Sequence, residues 1–172
     1  MRAAALQQRT KGSHVAAVSQ MAAYEANATA ELFEEVLLAL PDYNGRAKRR
    51  ELAKHCPNHL RDIIEFDPDA VLVARVTESI GGFCFSEIDD GPIWMSWFGV
   101  RTEFRGQGIG NALIAAVVER ARRANSKKVW CDCRTTNVWS KRILTRQGFR
   151  QLCTIERHWH DQDYILWEKL VS

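Results

Sequence analysis

The chain has 172 residues, of which 46% are hydrophobic and 26% charged, with a net charge of +3; this length suits one folded domain able to bury roughly two thirds of its unfolded surface. Five cysteines, with no Cys-x-x-Cys pair, argue against a disulfide framework and for reduced thiols in a cytoplasmic setting. No apolar run reaches the ~18 residues needed to cross a bilayer, and no secretory signal opens the chain, so no membrane association is expected.

Residues 1–24 hold no acidic side chain and are read as a partly flexible extension rather than a transit peptide, with His14 to Gln20 as a candidate edge strand. Residues 25–172 are read as a single domain. Leu32, Phe33, Val36, Leu37 and Leu40 form the stripe of an amphipathic helix that Pro41 terminates. A second helix starts near Arg46, with Leu52 and Cys56 on one face. Pro57 breaks or kinks it, and Leu60, Ile63 and Ile64 resume the apolar face up to Asp67-Pro68. Three strand-like runs follow, Val71 to Val76, Ile80 to Ile88 and Ile93 to Val100, with turn residues between them that suit an antiparallel meander. Ile109, Leu113, Ala116, Val117, Ala121 and Ala124 then recur at helical spacing.

Between the third run and that helix lies Arg105-Gly106-Gln107-Gly108-Ile109-Gly110-Asn111. A glycine-rich turn that opens a helix presents unpaired backbone N–H groups along the positive end of the helix dipole and lets the chain approach an anion closely. The expected ligand is a phosphate or pyrophosphate. The spacing fits neither a dinucleotide fingerprint nor a Walker loop, since Asn111 stands where the Walker lysine would be. Charge supports an anionic ligand here: residues 101–150 carry twelve Lys/Arg against three Asp/Glu, whereas residues 1–100 carry ten against fourteen. Arg120, Arg122, Arg123, Lys127 and Lys128, at the end of the helix, read as a solvated face complementing the dipole, and no nucleic-acid partner is expected.

The Arg-x-x-Gly-x-Gly order, preceded by Phe98-Gly99-Val100, resembles the acyl-CoA signature of the GNAT superfamily of N-acyltransferases. The resemblance continues through Cys131-x-Cys133, Asn137, Ser140, Ile143 and Gly148-Phe149 to a closing strand at Tyr164 to Val171, so that Phe98 to Leu170, about two fifths of the chain, is similar in order and spacing. It implies an α/β (α+β) fold: a mixed, mostly antiparallel sheet of six or seven strands, helices on both faces, and a splayed CoA groove between the fourth and fifth strands, here Ile93 to Val100 and Lys128 to Arg134. It also implies an enzyme that transfers acetyl from acetyl-CoA to the primary amine of a small molecule. A protein or peptide acceptor and a CoA-binding module without turnover are the alternatives, and a homodimer is left open.

By the same resemblance, acetyl-CoA is held by Phe98, Gly99, Val100, residues 105–111, Asn137 and Ser140, and the N–H groups of Phe98 and Val100 are candidate oxyanion donors. Two catalytic positions depart from the family pattern. Leu144 replaces the usual leaving-group tyrosine, and Trp94 and Ser96 stand where relatives carry a strand-four base. Ser96 could hold a relay water. Asp132 is the better-placed carboxylate, because strand alternation sets Trp130, Asp132 and Arg134 opposite Cys131 and Cys133; its alternative is a structural ion pair with a basic neighbour. Trp94, Glu87, Trp130, His158 and His160 are candidate acceptor contacts. No metal is expected, since the His158/His160 and Cys131/Cys133 pairs lack two further converging ligands and the cysteines suit buried apolar positions.

Overall fold

The computed structural model describes residues 17–172 except residue 42, so residues 1–16 of the expected extension, including the first part of its edge strand, lie outside the described residues. Seven strands form one sheet in the order β1-β2-β3-β4-β5-β7-β6. They are β1 (Ala17–Gln20), β2 (Val71–Val76), β3 (Ser79–Ile88), β4 (Ile93–Val100), β5 (Lys128–Arg134), β6 (Arg150–Ile155) and β7 (Tyr164–Leu170). All neighbours are antiparallel except β4 and β5, which run parallel. The expected mixed sheet with helices on both faces is the fold observed.

The helices are α1 (Ala26–Leu38), α2 (Gly45–Lys54), α3 (Pro57–Phe66), α4 (Ile109–Arg123) and α5 (Val138–Arg146). Pro57 breaks the chain rather than kinking it: it occupies the first turn of α3, where its missing N–H costs nothing. Asn44 caps α2, its side chain accepting from Ala47 N–H at 2.9 Å.

On one face, α4 lays Ile109, Leu113, Ile114, Val117, Val118 and Ala121 over Leu72, Cys84, Met95, Cys131 and Cys133, and Leu144 of α5 joins the same cluster. The cysteines therefore serve as core, as expected. On the other face, Leu32, Phe33, Val36 and Leu37 of α1 and Leu60 of α3 cover Val71, Val73, Phe83 and Phe85. The apolar cluster of that second face contains no residue of β5, β6 or β7. Half of one sheet face is thus left for polar work.

One residue departs from the sequence reading. Arg120 is 2% exposed; its guanidinium bonds Asp67 Oδ2 and both oxygens of Ser86, tying α4 to β3 and to the end of α3. It is a buried ion pair, not part of a solvated cluster, because it lies one turn after Val117 and two turns after Leu113 on the inward face of α4.

Candidate functional site

The glycine turn leaves open space at two of its positions. Gly106 and Gly108 have φ of +78° and +86°, in the left-handed region, and a Cβ at either would meet nothing within 4 Å. Gly108 caps α4, whose first turn closes with Ala112 N–H on Gly108 O at 3.0 Å, so the N–H groups of residues 109–111 precede the first intrahelical bond. Gly110 serves a different purpose. A Cβ there would lie 2.8 Å from Ile143 Cδ1, so this glycine lets α5 approach α4. Arg105 folds back, its Nε donating to Val100 O at 3.1 Å, Gln107 donates to Glu103 O, and Asn111 accepts from Gln147, linking the first turn of α4 to the end of α5.

The strands beside this turn separate. β4 and β5 are joined only at Ile93↔Val129 and Trp94↔Trp130. Arg101 N–H donates to Gly81 O at 2.9 Å on the β3 side, so strand alternation turns the N–H groups of Val100 and Phe98 toward the gap. Both N–H groups thus face the side of β4 on which pairing with β5 has ended. A cleft of about 410 Å³ occupies the gap; its wall includes Ser96, Phe98, Arg105, Asp132, Asn137 and Ser140.

Asp132 lies on the cleft wall opposite the core face. Its Oδ2 accepts from the Trp159 indole N–H at 3.0 Å. Burial pushes its carboxyl above the usual carboxylate range, against the lowering effects of the Trp159 bond and His158, while Glu51 adds to the rise. Among the described residues no cation stands within ion-pair distance of Asp132.

Beside it is a cluster that sequence reasoning missed. Arg134 stacks 3.6 Å over the Tyr43 ring and donates from Nε to Tyr164 Oη at 3.2 Å, and the two phenol oxygens are 3.3 Å apart. Burial, then the neighbouring Tyr164, raises the Tyr43 phenol well above its ordinary value. Alternation placed Arg134 on the right face, but no local pattern linked it to a tyrosine 91 positions earlier.

The other expected site residues divide. Ser96 is the extra residue of a bulge between β3 and β4 and donates from Oγ to Phe85 O at 3.3 Å, at the exposed cleft mouth. Asn137 caps α5, with Oδ1 accepting from Ser140 N–H at 3.0 Å, which leaves the Asn137 Nδ2 donors for a ligand. Gly99 pairs with Phe83 inside the sheet. Trp94 and Trp130 pack edge to face, 5.7 Å apart, and with Glu87, the cross-strand partner of Trp94, they fall outside the cleft wall. His158 and His160 also fall outside it; His158 adjoins it through ring contacts with Trp159 and Tyr164. Leu144 is fully buried, so nothing at this position can donate a proton. Among the described residues no group of three or more His, Cys, Asp or Glu could hold a metal ion, and no helix is long and apolar enough to cross a membrane.

Residues 31–149 match the family model described as the acetyltransferase (GNAT) family. An uncharacterized N-acetyltransferase of Methanocaldococcus jannaschii is 28% identical over 101 residues, 58% of this chain and 65% of that protein, so the match spans just under two thirds of the relative. Among solved structures, the PaiA N-acetyltransferase of Thermoplasma acidophilum in complex with coenzyme A superposes with a TM-score of 0.76 at 13% identity, covering 90% of this chain and 98% of that one. A putative acetyltransferase of Salmonella typhimurium with its cofactor acetyl-CoA gives 0.72 at 14% identity, covering 91% and 94%. The ribosomal-protein-S18-alanine N-acetyltransferase of Escherichia coli gives 0.69 at 12% identity over the same shares. These likenesses establish a common fold.

Proposed function

The chain belongs to the acetyltransferase (GNAT) family, and from that premise we propose that it transfers the acetyl group of acetyl-CoA directly to the primary amine of a small molecule. The observation that carries this reading is the β4–β5 opening, with the edge of β4 on one side, Asp132 on the other and the open glycine turn following β4. The residues present fit acetyl-CoA as a substrate. The turn at residues 105–111 would hold the pyrophosphate, and the edge of β4 with Asn137 Nδ2 would hold the pantetheine amides.

In this reading Asp132 takes a proton from the acceptor ammonium, whose ordinary pKa near ~10.4 leaves little free amine at neutral pH. A carboxyl raised by burial is a better base than an ordinary aspartate. The amine nitrogen then bonds to the thioester carbonyl carbon, Phe98 and Val100 N–H receive the developing oxyanion, and the C–S bond breaks to release the thiolate. With Leu144 buried, the thiolate leaves without a tyrosine acid, as a thiol of pKa near ~8.5 permits. It takes the second proton lost by the nitrogen, through water that the exposed Ser96 is placed to hold. The five free thiols fit a reducing, cytoplasmic setting.

Two measurements test the proposal together. Acetyl-CoA at 100 times its Kd should raise stability by about 2.7 kcal/mol in a thermal scan, and thiol release should appear with members of a small-amine panel. No thermal shift up to millimolar CoA sinks the cofactor assignment. A shift with no thiol release on any amine or peptide means a binding module, and release on peptides alone means a protein acceptor.

A further inference from the structure

Trp159 is placed in a way that its own burial does not explain. Half of its surface stays in solvent, so packing alone gives weak reason for its position. The segment between β6 and β7 nevertheless bends sharply to bring it back over β5. Arg157, His160 and Asp161 have φ of +49°, +55° and +60°, a region that side-chain-bearing residues seldom adopt. That conformation is locked by Arg157 N–H on Asp163 Oδ1 at 2.9 Å, His158 N–H on Gln162 O at 2.8 Å and the Arg157–Asp161 pair. The loop ends with its indole N–H on Asp132 Oδ2.

A carboxylate offers lone pairs on both oxygens. Among the described residues the indole is the hydrogen-bond partner of this one, and it engages Oδ2 alone. We propose that Trp159 is a positioning residue for the reaction: its indole N–H holds Asp132 by one oxygen, fixing the carboxylate plane and presenting Oδ1 to the ammonium of the acceptor. The inference rests on the reading of Asp132 as base. A neutral donor suits the task, since a Lys or Arg in its place would pin the carboxylate in its charged form and weaken it as a base. His158 meets Tyr164 edge to face behind the loop, Tyr43 and Glu51 face Asp132 from the α1–α2 side, Arg134 lies two residues along its own strand, and Cys131 and Cys133 flank it. Among the described residues the Trp159 indole, rather than any of these groups, is bonded to the carboxylate.

Trp159→Phe keeps a ring and deletes the N–H. In the full chain, with carbon-13 in the aspartate carboxyls, the Asp132 resonance is assigned by its absence in Asp132→Asn and followed against pH in parent and Trp159→Phe. Losing the donor should move the Asp132 midpoint upward. With an amine that supports turnover, the acidic limb of kcat/KM should move the same way, lowering kcat/KM below the limb by about 3- to 10-fold, while the KM for acetyl-CoA and the melting temperature stay at parent values. An Asp132 midpoint identical in the two proteins overturns the inference. A midpoint that moves while the acidic limb stays fixed removes Asp132 as the base, and the positioning role falls with it.

Discussion

Arg120 of α4 and Asp132 of β5 are both ionisable side chains set against the sheet, and the fold treats them in opposite ways. Arg120 is met by the Asp67 carboxylate and the Ser86 oxygens. Asp132 is met by an indole N–H and left with a raised carboxyl. A buried ion with a counter-ion is fixed in one protonation state, which serves architecture. A buried ion with only a neutral donor remains titratable, which serves proton transfer. The contrast separates a structural end of the sheet, at β2, β3 and the C-terminal part of α4, from the end at β5 and β7 to which we assign the proton transfer.

The largest expected effect lies at the structural end. Arg120→Met strands Asp67 and Ser86 and should cost about 3 kcal/mol of unfolding free energy in a urea titration, the lower part of the range for broken buried pairs because Asp67 is partly solvated. Its kcat/KM should stay near the parent value. A loss below about 1 kcal/mol would erase the contrast from that side.

At the β5 and β7 end, Asp132→Asn should lower kcat/KM by roughly 10²-fold or more, about 2.7 kcal/mol of barrier, without weakening acetyl-CoA binding. Its effect on stability has a definite sign. A carboxyl raised in the folded state favours folding below its unfolded pKa and loses that contribution as pH rises through its folded pKa. At pH 8 the charged Asp132 therefore costs stability, and Asp132→Asn should melt at or above the parent temperature. Melting below the parent, with an unchanged pH–rate profile, would make Asp132 a second Arg120.

A smaller effect divides the glycine turn along the same line. Gly108→Val adds bulk where nothing of the protein stands and should weaken CoA about tenfold while costing about 1 kcal/mol through its left-handed backbone. Gly110→Val drives a side chain into Ile143, so it should lose stability as well as affinity. Isothermal titration and melting curves of the two variants check this, and CoA affinity at the parent level in Gly108→Val removes the turn from the site.

The strands and helices were legible because their signals are local: the stripes of α1 and α4, the proline opening α3, the glycine turn between β4 and α4. The face of Asp132 was legible from alternation along β5. Arg120 was misread because it sits among Arg122 and Arg123, although its phase relative to Leu113 and Val117 points inward. What stayed hidden was non-local. Trp159 reaches Asp132 across 27 residues, and Tyr43 meets Tyr164 across 121. Such pairings are set by where the sheet brings chain segments together, which periodicity does not encode.

The narrow junction between β4 and β5 also bears on how the protein comes apart. Joined by two residue pairs, the sheet consists of a four-stranded and a three-stranded block, and α4, whose residues pack on both, helps tie them together. Each block is a candidate cooperative unit with its own opening free energy. A ligand bonded to the edge of β4 and to Asn137 adds a second tie, so amide protons of β5 and β7 should exchange more slowly in its presence. Occupancy of the groove then governs whether the molecule melts in two steps or as one.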